Sequence, residues 1–157
     1  MKVKITVNGM LYNKHIPNDM MLLEFLRKYG YVSVKRGCDT SNCGLCTVWV
    51  EGKPVLSCSY PAARADGLHV TTLEGVKDEA ASFGRYMTAQ GAEQCGYCSP
   101  GFIMAVLAMR RELTDPTEEE ISNYLAGNLC RCSGYAGQTR ALRAWLHDKP
   151  WEKEGQA

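Results

Sequence analysis

The sequence GCDTSNCGLC, residues 37–46, places three cysteines within nine positions and includes two glycines, one before the first cysteine and one between the last two. Gly37 and Gly44 permit the positive φ angles and the close approach that a tightly wrapped loop requires. A fourth cysteine follows after eleven residues, and the remaining four have the spacing C-x2-C-x31-C-x-C. The cysteines therefore form two closed sets, namely Cys38, Cys43, Cys46 and Cys58, and Cys95, Cys98, Cys130 and Cys132.

The composition of the 157-residue chain restricts its compartment and its partners. Lys and Arg number 18 and Asp and Glu 17, so neither nucleic acid nor an anionic membrane is expected as a partner. No apolar segment precedes the first predicted strand or approaches the ~18 residues of a membrane-spanning helix. We therefore expect a cytoplasmic protein, in which thiols are metal ligands rather than disulfides.

The first half of the sequence predicts a β-grasp domain over residues 1–76. A helix with Asn18 or Asp19 as N-cap and Gly30 just after its end is predicted between the second and third strands. The order ββαβββ, with one helix lying across a mixed sheet, is compatible with that fold. Alternating apolar residues and turn dipeptides predict the strands, over residues 3–7, 10–16, 47–50, 54–58 and 68–72.

The second half predicts a small four-helix bundle over residues 77–157, which makes the whole chain α+β. Ser99 and Pro100 are typical of a helix start, as N-cap and first-turn residues. Thr117 and Glu120 predict a capping box at the start of the next helix. The predicted helices cover about residues 79–90, 99–112, 117–127 and 138–147.

Each set of four thiolates suits either an iron–sulfur cluster or a structural zinc ion. The first set has the C-x4-C-x2-C loop and the distant fourth cysteine of plant-type ferredoxins. In the second set, Cys95 and Cys98 directly precede a predicted helix, whose free N–H groups favour thiolates. The spacing therefore favours two redox sites and leaves zinc open, above all for the second set.

The sequence contains no recognisable constellation for substrate chemistry. His15, His69 and His147 are scattered, and neither a P-loop nor a strand followed by GxGxxG is present. We therefore predict no catalytic residue on this chain and expect the substrate chemistry to lie on another one.

Four longer motifs together resemble the small iron–sulfur subunit of the molybdenum hydroxylases, the xanthine dehydrogenase and aldehyde oxidoreductase family. The resemblance spans about residues 2–147. Its motifs are the cysteine loop with the following Thr-Val (37–48), TLEG (72–75), QCGYCSPG (94–101) and GNLCRCSGY (127–135).

The resemblance implies two [2Fe-2S] clusters, the first held by the β-grasp cysteines and the second by the helical-domain cysteines. It also implies a large partner subunit carrying molybdopterin and a medium partner subunit carrying FAD. Electrons would pass from the molybdopterin centre to the helical-domain cluster, then to the ferredoxin-like cluster and on to FAD. Gln94 and Cys132 would lie against the pterin.

Three positions depart from the family pattern. Ser41 stands where the family usually has Gly, so a positive φ there would be strained. Leu45 replaces Ala and adds bulk beside the first cluster. Gln138 lies where an aliphatic residue is usual, which brings the packing of the last helix into question.

We therefore expect an electron-transfer subunit of a molybdenum hydroxylase acting on xanthine, another purine or a related N-heteroaromatic. Alternatives in the same family are aldehyde, carbon monoxide or aromatic acyl-CoA oxidoreductases. Outside it, the alternatives are a free-standing two-cluster ferredoxin and a zinc-stabilised interaction module.

Overall fold

A computed structural model describes residues 1–151; the end of the predicted helical domain, residues 152–157, lies outside the described residues. The elements of the first half are β1 (Lys2–Val7), β2 (Met10–His15), α1 (Leu22–Lys28), β3 (Thr47–Val50), β4 (Lys53–Leu56) and β5 (His69–Thr71). Those of the second half are α2 (Lys77–Ala89), α3 (Ser99–Glu112), α4 (Glu118–Leu125) and α5 (Ala136–Asp148). Within residues 1–151, every helix falls short of the length and apolarity needed to cross a bilayer.

The strands form one mixed sheet in the order β2-β1-β5-β3-β4. The pairing of β1 with β5 is parallel, and the other pairings are antiparallel. Asn8 and Gly9 connect β1 to β2 with φ angles of 49° and 83°, as the hairpin dipeptide predicts. Helix α1 buries four apolar side chains in the core of this half, namely Leu22, Leu23, Phe25 and Leu26. The predicted β-grasp architecture is confirmed.

Two predicted N-cap residues are wrong. Helix α1 begins at Leu22 after an N-cap at Met21, because residues 18 and 19 form a separate turn before it; Asn18 Oδ1 accepts a hydrogen bond from the N-terminal ammonium at 3.2 Å. Helix α3 has Cys98 at its N-cap, and the hydroxyl of Ser99 donates to Glu93 at 2.6 Å. The capping box at Thr117 is confirmed.

The second half has its own apolar core, which includes one residue from the sheet. Trp49, on β3, is 2% exposed and belongs to the core formed by the helices. Its indole Nε1 donates to the carbonyl of Met104 at 3.1 Å, and the Arg111 guanidinium lies 4.1 Å from its ring centroid. The sheet and the helices are therefore packed directly against each other.

Candidate metal centres

The loop that carries the first thiol set uses left-handed backbone at two positions. Gly44 has φ +73°, and Ser41, despite its side chain, has φ 56°, as the sequence led us to suspect. The wrapping directs backbone N–H groups at sulfur, and the N–H of Asn42 contributes most to lowering the pKa of the Cys38 thiol to about 6. Burial instead raises the pKa of Cys46 to about 11.

The thiols of the first set lie in two pairs. Cys38 exchanges a hydrogen bond with Cys43, and Cys46 does so with Cys58. Cys58 lies in a short 3-10 turn, residues 57–59, rather than at the end of a strand, because β4 stops at Leu56. That turn brings its Sγ within 3.5 Å of the Ser41 hydroxyl and closes the site.

The second set is paired in the same way. Cys132 Sγ lies 3.5 Å from Cys95 Sγ, and these two residues are exposed. Cys98 and Cys130 also exchange a hydrogen bond and are partly buried.

The environments of the inner pair differ. Burial raises the pKa of Cys98 to about 12. Burial also acts to raise the pKa of Cys130, but donation by the hydroxyl and N–H of Ser133, at 3.3 and 3.5 Å, outweighs it, and the pKa falls to about 7. Donors at Cys130 and close thiol pairing suit this site to anionic sulfur ligands.

The pairing fits a binuclear cluster better than a single metal ion. A tetrahedral zinc site needs its four thiolates grouped around one point. In a [2Fe-2S] cluster, by contrast, each iron takes two thiolates, so two pairs of thiols are what the cluster requires. The donor sets of both halves therefore fit [2Fe-2S] clusters.

Backbone contacts join the two cysteine loops. The N–H of Leu129 donates to the carbonyl of Cys43 at 2.9 Å, so that residues 43 and 130, one from each set, are linked through a single hydrogen bond. The Asn128 amide reaches the carbonyls of Gly44 and Gly101 at 3.4 and 3.5 Å. Sequence analysis missed this junction, although the glycines at 44 and 101 are its signal.

Close approach explains those glycines. A Cβ on Gly44 would collide with the Gly127 carbonyl and the Asn128 side chain. A Cβ on Gly101 would meet the carbonyl of Gly44 and lie 2.8 Å from Leu45 Cα. Leu45 itself is 8% exposed and fills the space beside Gly37, so its extra bulk is accommodated in the interior.

The surface around the second set is partly apolar. Gln94 is exposed and directly precedes Cys95. Three apolar side chains lie within three residues of these cysteines: Tyr97, Leu129 and Tyr135 are 46%, 44% and 43% exposed. The hydroxyl of Tyr97 also donates to the carbonyl of Arg36 at 3.0 Å, beside the first loop. The face that presents Cys95 is therefore one that another surface can cover.

Comparison with known proteins identifies both halves. Residues 5–70 match the 2Fe-2S iron-sulfur cluster binding domain family, and residues 72–143 match the [2Fe-2S] binding domain family. The chain is 46% identical over 140 residues to the xanthine dehydrogenase iron-sulfur-binding subunit of Escherichia coli O157:H7, covering 85% of this chain and 86% of that protein.

Further relatives agree. The chain is 39% identical over 144 residues to the nicotinate dehydrogenase small FeS subunit of Eubacterium barkeri, covering 90% of this chain and 92% of that protein. Its structure superimposes on that of quinoline 2-oxidoreductase from Pseudomonas putida 86 with a TM-score of 0.82 and 31% identity, over 90% of each chain. The chain thus belongs to the family of [2Fe-2S] electron-transfer subunits of the molybdenum hydroxylases.

Proposed function

We propose that the eight cysteines ligate two [2Fe-2S] clusters, one in residues 1–76 and one in residues 77–157. When bound, each cluster takes up and passes on one electron. The pairing of the thiols supports a further assignment within each set. In the first cluster, one iron would be held by Cys38 and Cys43 and the other by Cys46 and Cys58. In the second cluster, one iron would be held by Cys95 and Cys132 and the other by Cys98 and Cys130.

The observation that carries the proposed electron transfer between the two sets is the hydrogen bond from the Leu129 N–H to the Cys43 carbonyl. It supports a direct route between the two ligand sets, from Cys130 through the backbone of Leu129 to Cys43. The exposed thiols of Cys95 and Cys132 are the entry side of this route, and the partly buried Cys130 is its inner side.

The partners follow from the two ends of the route. A large subunit carrying molybdopterin would cover the exposed face of the second set, where Gln94 and Cys132 would contact the pterin. A medium subunit carrying FAD would accept electrons from the first set. The apolar surface of Tyr97, Leu129 and Tyr135 supports such a covering partner, and a cytoplasmic location suits eight free thiols.

Xanthine, another purine or a related N-heteroaromatic is the proposed substrate class of the complex. The support comes from relatives named for xanthine and nicotinate dehydrogenases. Purification of the native complex, followed by assays against purines, nicotinate and aldehydes, tests this assignment. Oxidation of aldehydes alone would refute it.

Metal analysis and EPR test the electron-transfer role. The purified chain should hold about four iron and four acid-labile sulfides and give two EPR signals on reduction. Cys43→Ser should abolish or alter the first signal, and Cys98→Ser the second. Colourless protein that holds two zinc ions, or purification without any larger subunit, would contradict the proposal.

A further inference from the structure

Gln138, in the first turn of α5, has an unusual environment for a glutamine. It is 3% exposed, and its Nε2 lies 3.8 Å from the sulfur of Cys98. Among the described residues, no donor reaches its Oε1. The last helix forms in spite of this polar residue, which the sequence had marked as a possible disturbance of packing.

The orientation of this amide suits the thiolate that Cys98 would become as a cluster ligand. A thiolate sulfur accepts hydrogen bonds and donates none, so the amide N–H₂ is the favourable group to face Cys98. The reverse orientation would place the lone pairs of Oε1 against the sulfur. The unpartnered oxygen is therefore the consequence of turning the nitrogen toward Cys98.

The surroundings strengthen that contact. Gln138 lines a cavity of about 590 Å³ between α3, α4 and α5, together with apolar side chains such as Phe102, Leu125 and Leu142. Gln138 is itself buried, and a hydrogen bond shielded from water in this way is electrostatically stronger than one in water.

We propose that Gln138 raises the reduction potential of the second cluster by donating an N–H···S hydrogen bond to Cys98. Reduction adds one electron and no proton to the cluster, so its sulfur ligands gain negative charge. A donor aimed at one of those sulfurs stabilises the reduced form more than the oxidised form. Gln138 thus acts through Cys98 as a tuning residue and makes the second cluster a better electron acceptor. The inference rests on the proposed ligand role of Cys98.

The test is an EPR-monitored redox titration of the full chain with both clusters. Gln138→Met keeps the length of the side chain but has no donor, and Gln138→Asn keeps the amide but is too short to reach Cys98. Both should lower the potential of the second cluster and leave that of the first unchanged. Thr139→Ala is the matched control, because Thr139 lines the same cavity but its hydroxyl donates to the carbonyl of Tyr135.

Two results would overturn the inference. One is a second-cluster potential that is unchanged or raised in both Gln138 variants, and the other is an equal fall for both clusters. A further measurement leaves Gln138 unchanged, so that it tests the inference even if the Gln138 variants fail to bind their clusters. With glutamine side chains labelled with ¹⁵N, in a Gln94→Met background that removes the other nearby amide, the reduced second cluster should show a nitrogen hyperfine coupling; its absence also overturns the inference.

Failure of the proposed ligand role of Cys98 can be distinguished from failure of the inference about Gln138. If Cys98 is not a ligand, Cys98→Ser leaves the second EPR signal intact. If only the present inference fails, that variant still loses the signal while the Gln138 variants keep the wild-type potential.

Discussion

The amide of Leu129 donates to the carbonyl of Cys43 at 2.9 Å and connects two loops that are far apart in the sequence. Replacing Leu129 with proline removes this donor. We expect slower electron transfer between the clusters and a loss of about 1 kcal/mol of unfolding free energy. Rapid-mixing reduction followed by freeze-quench EPR measures the transfer. Leu129→Ala keeps the N–H and should transfer at the wild-type rate; equal slowing in both variants would contradict the route.

Gly44 allows the loops to approach, and Gly44→Ala should destabilise the chain by more than backbone strain alone. Gly52→Ala is the matched control, since Gly52 has a similar φ of +77° but open space where its Cβ would lie. We expect a loss of about 1–2 kcal/mol for Gly52→Ala from left-handed strain. Gly44→Ala should lose clearly more, because its Cβ collides with Gly127 and Asn128. Chemical denaturation of both variants gives the difference, and equal losses would contradict a packed junction.

Trp49 stabilises the contact between sheet and helices through its indole. Trp49→Phe removes the hydrogen bond to Met104 and weakens the contact with the Arg111 guanidinium. We expect a loss of about 2 kcal/mol, with both EPR signals retained. Arg111→Met, introduced into both backgrounds, should give a coupling energy of about 0.5–1 kcal/mol by denaturation. Additive losses would show that the ring and the guanidinium do not interact.

Glu74 predicts a pH dependence of stability. Burial acts to raise its pKa, but hydrogen bonds from Ser33 and Thr72, at 2.6 and 2.5 Å, outweigh this effect and hold the pKa below its ordinary value of 4.5. A carboxyl group whose pKa is lower in the folded state stabilises the fold above its unfolded pKa and loses that contribution as pH falls through its folded pKa.

Glu74→Gln should therefore destabilise the chain by about 1 kcal/mol at pH 7. The difference from wild type should shrink as the pH falls below about 4.5. Thermal unfolding across pH 3–8 measures it, with the exposed Glu119→Gln as control. A difference that stays constant down to pH 3 would rule out the assigned role of the carboxylate.

Local chemistry explains which features the sequence predicted. The Asn8-Gly9 turn and the capping box at Thr117 depend on residues within four positions of one another, and both formed as expected. The spacing of Cys38, Cys43 and Cys46 likewise predicted a shared site, because a loop that wraps one cluster uses neighbouring residues.

The features that the sequence did not predict depend on distant residues. The hydrogen bond between Leu129 and Cys43 uses backbone atoms, so no side chain encodes it, and only the glycines that permit the close approach hint at it. The contact of Gln138 with Cys98 needed the relative placement of α3 and α5. Asn18 is not the helix cap because Met21 first pairs with the distant Pro61 in an isolated bridge, and the helix begins only at Leu22.

The position of Trp49 limits how this protein can be used in engineering. A fragment that began at residue 77 would lose the indole that β3 contributes to the helical core. The uncovered helix surface would be apolar and prone to self-association. A redox module transplanted into another protein must therefore carry both halves of the chain. Otherwise, another side chain must fill the space that Trp49 occupies in the helical core.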